Sequence, residues 1–122
     1  MPTSPLNKLF TPSSASAALR VLTPAVRVLR QLYRTLERRQ GGGGTDRAVD
    51  PVYFELLNRF CQVRERVEQE GVRLADPARG TLEFPALRAG RPVLLRGVLG
   101  EKQVRSWRDE ERTRPLDEGP WG

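Results

Sequence analysis

The sequence predicts an α+β protein, because its apolar residues change their spacing near the middle of the chain. Between residues 12 and 70 they recur every three or four positions, which is the spacing of one helix face. From Gly71 onward they alternate with polar residues, as in a half-buried strand. We therefore expect an antiparallel helical hairpin with a preceding short helix, a small antiparallel two- or three-stranded sheet, and a short C-terminal helix.

Two Thr-Pro pairs mark helix starts, because Thr suits an N-cap and Pro suits the first helical position. Pro24 has no N–H to donate, so we expect one helix over about 12–21 and a second over about 24–40. One apolar stripe runs through both, made of Leu19, Leu22, Val26, Leu29, Tyr33 and Leu36. A second row, made of Val21, Val28 and Leu32, widens it and predicts contact with more than one neighbour.

The third predicted helix covers about 51–70. Gly41–Gly44 end the preceding helix, and Asp50 followed by Pro51 gives the next start signal. Gly71 supplies the left-handed position that commonly follows a helix. A linker of about nine residues between two helices with matching apolar stripes favours the antiparallel hairpin.

Turn residues then divide the rest of the chain. Asp-Pro at 76–77, Arg-Gly at 79–80 and Ala-Gly-Arg-Pro at 89–92 separate strands predicted over about 72–75, 81–84 and 92–99. Val104 and Trp107 are three residues apart, which predicts a helix over about 101–111.

In domain terms, we expect a flexible N-terminal arm over 1–10, a single domain over 11–112 and a loose tail over 113–122. No apolar run approaches the roughly 18 residues of a membrane-spanning helix, so we expect no membrane association. The N-terminus lacks signal-peptide order, and Cys61 is the lone cysteine, which favours a cytoplasmic location.

The charge and composition of the chain disfavour catalysis and metal binding. The chain carries a net charge of +6, and residues 1–46 hold seven basic and two acidic residues. It has no histidine, which removes the commonest general base and a usual zinc ligand. We therefore expect no catalytic residues, no metal and no cofactor, and an enzyme is the less favoured class.

The order of residues after Gly71 resembles a known family. The residues that carry the likeness are Gly71, Val72, Asp76, Gly80, Leu82-Glu83-Phe84-Pro85, Arg88, Gly90-Arg91, Val93, Leu95, Leu99-Gly100-Glu101 and Trp107, with Phe10-Thr11, Leu22 and Pro24 upstream. Together they resemble the small bacterial family called domain of unknown function 2203, over roughly residues 9–112. The resemblance implies a long helical hairpin with a small sheet, and it implies no assigned activity.

The sequence departs from that family at three positions. The resemblance implies a Cys where this chain has Arg96, a His where it has Arg108, and an aromatic residue where it has Gly97. If Cys, Glu and His form a metal or catalytic site in relatives, Glu101 alone carries over. The chain would then be a divergent member that keeps the scaffold.

Five residues in the sheet region are candidates for binding a small polar ligand: Asp76, Arg88, Arg91, Glu101 and Trp107. The competing interpretation is structural and is the favoured one. In it Asp76 initiates a turn, Glu101 caps the last helix, and Trp107 closes a small core. Cys61 is expected to be a small buried apolar residue.

Two functions from different classes follow. The leading hypothesis is a non-enzymatic scaffold or protein-interaction module that acts as a homodimer or with another protein. The alternative is a nucleic-acid-associated accessory protein that uses the basic N-terminal half, and we expect its binding to be weak. The residues of that alternative are Arg20, Arg27, Arg30, Arg34 and Arg38. The third hypothesis is a divergent member of a family with an unknown metal or enzymatic site.

Overall fold

The computed structural model describes residues 8–41 and 50–122. Over these residues the chain has two helices and one five-stranded antiparallel sheet, so the α+β class is confirmed. The elements, in chain order, are α1 (Pro12–Gly41), α2 (Pro51–Glu68), β1 (Arg73–Asp76), β2 (Thr81–Arg88), β3 (Arg91–Val98), β4 (Ser106–Arg108) and β5 (Thr113–Pro115).

One continuous helix replaces the two predicted upstream of Gly41, so the separate short helix is wrong. Pro24 lies within α1 and is exposed. An internal proline removes one helical hydrogen bond and costs about 3 kcal/mol. The apolar stripe on both sides of Pro24 outweighs that cost, because Leu19, Val26 and Leu29 are all fully buried.

The helix α2 begins as the sequence predicts. The Asp50 carboxylate accepts hydrogen bonds from the N–H groups of Val52 and Tyr53 and also pairs with Arg39 of α1 at 2.7 Å. That arginine is the main reason why the pKa of Asp50 lies below its usual value. The helix ends at Glu68, and Gly71 follows with φ +88°. The predicted glycine loop is Gly41–Gly44. Gly41 is the last residue of α1, and the other three glycines lie outside the described residues.

The sheet is a meander of five strands in the order β1-β2-β3-β4-β5, rather than the two or three predicted. Strands β2 and β3 pair along their whole length from Thr81↔Val98 to Arg88↔Arg91. The turn between them consists of Ala89 and Gly90, both at positive φ. Two-residue turns of this kind match the twist of a hairpin.

The predicted C-terminal helix over 101–111 is wrong, because that segment contains β4 and turns. Trp107 pairs with Leu95 of β3 on one side and Arg114 of β5 on the other. Val104 is buried in the connection before β4, so the three-residue spacing arises from two separate core contacts. Residues 113–122, predicted to be loose, contribute β5 and a bridge from Trp121 to Arg88.

The two faces of the sheet have different environments. Directly paired residues of an antiparallel sheet share a face. One face carries Leu82, Phe84 and Leu95, and it packs against α1. The contact is close at Gly97, where an added Cβ would lie 2.8 Å from a methyl carbon of Leu19. The register places Glu83 and Arg96 on the opposite face.

The core continues from this sheet face into the interface between the helices. Phe10, from the segment predicted as a flexible arm, is buried edge-on against Phe84 at 5.2 Å between ring centroids. Between the helices, Tyr33 of α1 packs against Phe60 of α2. The predicted stripe on α1 is buried apart from the half-buried Tyr33, whereas Val21 and Val28 of the second row are exposed.

Candidate functional site

Three of the five predicted binding residues line one cavity at the end of the sheet. Arg88, Arg91 and Trp107 border a space of about 650 Å³ between the β2–β3 turn and the β4–β5 turn. We call it the tryptophan cavity. Its full lining is Arg88, Ala89, Arg91, Pro92, Val93, Trp107, Asp109, Glu110, Glu111 and Arg114.

The other two predicted residues lie elsewhere and close turns. Asp76 accepts hydrogen bonds from the backbone N–H groups of Ala78 and Arg79. Glu101 accepts one from the N–H of Val98 at 2.8 Å. The structural interpretation therefore describes both residues, although Glu101 closes the turn after β3 and not the end of a helix.

Arg88, Trp107 and Arg114 form the inner wall of the tryptophan cavity, and Trp121, outside the lining, contacts the first two of them. Trp107 and Trp121 meet edge to face at 5.8 Å between centroids. The guanidinium of Arg88 lies against both rings, 5.1 Å from the centroid of Trp107 and 4.9 Å from that of Trp121. Arg114 lies 5.5 Å from Trp107. Such contacts favour a cation over a ring face and fix the positions of both arginines.

Carboxylates hold these two arginines in place. Asp117 contacts both terminal nitrogens of Arg88, at 2.7 and 2.8 Å. Asp109 pairs with Arg114 at 3.3 Å and accepts hydrogen bonds from the N–H groups of Arg112 and Glu111. Those backbone hydrogen bonds are the main reason why the pKa of Asp109 lies below its usual value. The inner wall is therefore both charged and internally compensated.

The mouth of the cavity carries charges that nothing in the described residues compensates. Arg91, Glu110 and Glu111 are exposed, and no side chain among residues 8–39 and 50–122 forms an ion pair with any of them. Both signs of charge therefore face solvent around a rigid apolar and cationic floor.

Sequence reasoning missed Trp121 and Asp117, because it placed both in a loose tail. The Trp121 ring N–H donates to the carbonyl of Asp117, and Gly122 donates to the carbonyl of Leu87. The residue type of Trp121 was the available signal, since tryptophan side chains are highly buried on average.

A second cluster of charges lies on the sheet face turned away from α1. The Glu83 carboxylate is buried, and Arg108 donates hydrogen bonds to both of its oxygens. Arg96 and Arg73 approach the same carboxylate at 3.7 and 4.0 Å. The hydrogen bond to Glu83 raises the pKa of Arg108 above its usual value. We call these four residues the Glu83 cluster.

The Glu83 cluster changes what the family resemblance implies. The positions where the resemblance implies Cys and His are Arg96 and Arg108, and both arginines reach Glu83. Glu101 instead pairs with Arg105. Glu83, and not Glu101, is therefore the acid that the fold brings to these two positions.

The five arginines of the nucleic-acid alternative all lie on α1, and three of them donate hydrogen bonds within the protein. Arg20 donates to the carbonyl of Lys102 at 3.0 Å, and Arg34 donates to the carbonyl of Ala78 at 3.3 Å. Arg38 donates to Thr35 on the same helix. Arg27 is exposed and Arg30 is half-buried. Two of the five therefore fasten α1 to turns of the sheet.

The remaining sequence predictions concern metals, cysteine and membranes. No three Asp, Glu or Cys side chains gather into a metal-binding group in the described part of the chain. Cys61 is half-buried against the core rather than fully buried. Within residues 8–41 and 50–122, neither helix has the length and apolar character that a bilayer crossing requires. The absence of a metal and the cytoplasmic location stay predictions.

These features define a small α+β protein with a meander sheet, a tryptophan cavity at one end of it and a cluster of arginines around a buried acid. The family model described as "Uncharacterized conserved protein (DUF2203)" matches residues 8–114, most of the chain, so the protein belongs to that family. This confirms the resemblance found in the sequence. No curated protein and no solved structure matches the chain.

Proposed function

We propose that the protein is a non-enzymatic interaction module that binds an extended segment of a partner protein at the tryptophan cavity. The observation that carries the proposal is the combination of a fixed floor and unpaired charges at the mouth. Arg88, Trp107 and Arg114 are held by mutual stacking and by carboxylates. Arg91 and Glu111 offer opposite charges, which suits a polypeptide carrying both acidic and basic side chains.

The side chains of the inner wall of the cavity, and the two carboxylates that hold its arginines, support binding rather than proton transfer. An arginine stays protonated across the working range of pH, and an indole does not titrate there. Asp109 and Asp117 already accept hydrogen bonds from arginines or backbone N–H groups, and both are fixed in that role. The site therefore offers shape and charge, which are the means of recognition.

The edge strand β5 supports an extended partner segment. It is last in the sheet order, and Thr113 and Pro115 are exposed. An open edge is a template on which a further strand can pair. Pro115 has no N–H to offer, so pairing along β5 is short and the side-chain contacts at the cavity supply the specificity.

The scaffold part of the proposal includes the antiparallel arrangement of α1 and α2. The ion pair between Arg39 and Asp50 joins the end of one helix to the start of the next, and Tyr33 lies 6.1 Å from Phe60. We also place the protein in the cytoplasm, because a single cysteine suits a reducing compartment.

Nucleic-acid association is the less favoured alternative. The basic excess near α1 is real, but Arg20 and Arg34 already donate to backbone carbonyls. Arg20, Arg27, Arg34 and Arg38 are exposed, but the one aromatic residue of α1, Tyr33, packs against Phe60, so no exposed ring lies among them on which bases could stack. Such a surface supports weak attraction to phosphates that salt removes.

The test is affinity capture from a native extract with matched variants, with and without nuclease. We expect wild type to retain defined proteins after nuclease treatment. Arg91→Glu and Glu111→Lys should lose them, because each reverses a charge at the cavity mouth. Arg79→Glu should retain them, since Arg79 is an exposed arginine in the β1–β2 turn, outside the cavity.

Two outcomes contradict the proposal. Loss of the captured proteins on nuclease treatment would favour the nucleic-acid alternative. Equal retention by Arg91→Glu, Glu111→Lys and wild type would show that the tryptophan cavity is not the binding surface. Sedimentation equilibrium of the purified protein then separates a second copy of the chain from a different partner.

A further inference from the structure

The Glu83 cluster holds more positive charge than its buried acid requires. One carboxylate, with its side chain 3% exposed, faces the guanidinium groups of Arg73, Arg96 and Arg108. A single arginine bound through two nitrogens already satisfies a carboxylate, and Arg108 binds Glu83 in this way. The cluster therefore carries a surplus of two positive charges on one sheet face.

The sheet register fixes this arrangement. Arg73, Glu83, Arg96 and Ser106 are directly paired across β1, β2, β3 and β4, so their side chains share the face turned away from α1. Arg108 reaches Glu83 from the neighbouring row of β4. Backbone pairing, and not flexible loops, brings the three guanidiniums together.

Most of the hydrogen-bond donors in the cluster have no hydrogen-bond partner within the described residues. A guanidinium has five N–H donors. Arg108 donates two to Glu83, and Arg96 donates one to Thr113 at 3.4 Å. The Nε of Arg96 is buried and has no hydrogen-bond partner. Within the described residues, Arg73 donates no hydrogen bond and lies only within ion-pair distance of Glu83.

The acid lies beneath and the guanidiniums reach the surface. The Arg96, Arg108 and Arg73 side chains are 31%, 35% and 67% exposed, while Glu83 is nearly inaccessible. Glu83 therefore organises the cations without occupying their outer sides. Three like charges this close repel one another, and an anion bound above them would relieve that repulsion.

We propose that Arg73, Arg96 and Arg108 form a binding site for a dianionic oxyanion, namely a phosphoryl group. Its charge of about −2 matches the surplus, and its three terminal oxygens match donors arriving from three strands. Arginine suits this task because its planar fork binds phosphate oxygens in pairs. The site is distinct from the tryptophan cavity, which lies on the other face of the sheet.

The test is calorimetric titration of the purified chain at constant ionic strength, with sodium chloride as the balancing salt. Inorganic phosphate, sulfate and phenyl phosphate are the probes. We expect one saturable site with a dissociation constant below about 10 mM. Arg73→Gln and Arg96→Gln should each weaken binding about tenfold, the loss expected for one charge-assisted contact. Both variants keep the Arg108–Glu83 pair.

The matched control is Arg79→Gln, because Arg79 is an exposed arginine on the β1–β2 turn and pairs only loosely with Asp76, at 3.9 Å. Its affinity should change less than about twofold. Binding of phenyl phosphate as tight as that of free phosphate assigns the site to the phosphoryl group of a larger molecule. Binding of phosphate and sulfate without phenyl phosphate assigns it to a free oxyanion. Either result supports the site.

Three results overturn it. The first is the absence of saturable heat with all three probes. The second is equal weakening by Arg79→Gln and Arg96→Gln, which would show attraction to net charge alone. The third is tighter binding of a single-stranded oligonucleotide than of any monoester, weakened by Arg27→Gln as much as by Arg96→Gln. That result would assign anion binding to the exposed arginines of α1 rather than to the Glu83 cluster.

Discussion

At the scale of single residues, buried polar contacts hold the connections between elements in place. The Ser16 hydroxyl accepts a hydrogen bond from the backbone N–H of Val104 at 3.0 Å, and the two residues are 88 positions apart. The backbone before β4 is therefore attached to the first turns of α1. In the exposed turn between β4 and β5, the hydrogen bonds that Asp109 accepts from the N–H groups of Glu111 and Arg112 act locally and close the turn.

We predict that Asp109 contributes stability that acid removes. The hydrogen bonds from Arg112 and Glu111 hold the pKa of Asp109 below its usual value. A lowered pKa in the folded state means that the contribution is present above the unfolded pKa and is lost as the pH falls through the folded pKa. The free energies of unfolding of wild type and Asp109→Ala, measured with urea, should therefore differ at pH 7 and converge in strong acid.

The control is Glu110→Ala, a change at an exposed neighbour, whose free energy of unfolding should equal that of wild type at every pH. A difference between wild type and Asp109→Ala that does not shrink in acid would contradict this assignment.

At the scale of elements, the contact between α1 and β3 depends on a missing side chain. Gly97 permits Leu19 to approach the sheet, and an added Cβ would also lie 3.3 Å from a methyl carbon of Val104. The backbone of Gly97 is not in the left-handed region, so the requirement is one of space.

Gly97→Ala should lower the free energy of unfolding by about 1–3 kcal/mol, the usual cost of overpacking a core. Leu19→Ala should cost less in the Gly97→Ala background than in wild type, because truncating Leu19 makes room for the new methyl group. A double-mutant cycle measured by urea denaturation gives this coupling. Additive losses would mean that the two residues do not compete for space.

Replacing Pro24 should strengthen α1. The proline ring removes one helical hydrogen bond, and the residue is exposed, so no packing is lost with it. We expect Pro24→Ala to raise the free energy of unfolding by about 1–3 kcal/mol. Thermal unfolding followed by far-ultraviolet circular dichroism measures the change. Gln31→Ala, also exposed on α1, is the control and should shift stability by less than about 0.5 kcal/mol. A neutral or destabilising Pro24→Ala would show that α1 gains from the proline.

At the scale of the whole molecule, stability should depend on the apolar stripes of the two helices. Leu29 is fully buried and Phe60 is nearly so. Leu29→Ala and Phe60→Ala should each cost about 2–5 kcal/mol, as emptied core sites do. Arg38→Ala and Val28→Ala, at exposed positions of α1, should cost far less. Equal shifts in the denaturant midpoint for the buried and exposed positions would contradict this placement of the core.

The sequence predicts the buried face of α1 and the start of α2, because the spacing of a helix face and the residues of a helix cap are local patterns. The stripe from Leu19 to Leu36 and the cap at Asp50 could both be identified without a structure. The C-terminal strands could not, since β4 and β5 have only three residues each and no room for an alternating pattern. Pro24 misled the prediction because its local cost is smaller than the gain from burying the stripe on both sides of it.

The candidate sites, too, could be predicted only where a local pattern in the sequence identifies their residues. Arg88, Arg91 and Trp107 could be named from their residue types, but Asp117 and Trp121, which hold Arg88, could not, since no local pattern connects them to β2. The Glu83 cluster depends on cross-strand register. Because side chains alternate between the two faces of a strand, the sequence predicts that Glu83 lies on the face opposite to Leu82 and Phe84. Only the pairing of β1, β2, β3 and β4 shows which arginines reach it.

The edge-to-face contact of the two indoles has an optical consequence. The chain has only two tryptophans, and both belong to that contact. Light at the long-wavelength edge of the protein spectrum is therefore absorbed only by this indole pair, of which Trp107 lines the cavity, and not by Tyr33 and Tyr53 of the helices. The intrinsic emission of the unlabelled protein reports on one end of the sheet alone, and the two neighbouring chromophores should add a coupled signal to the near-ultraviolet dichroism. A ligand that contacts Trp107 in the cavity would change the wavelength or the yield of that emission. The protein therefore has an intrinsic probe at the place where the partner is proposed to bind.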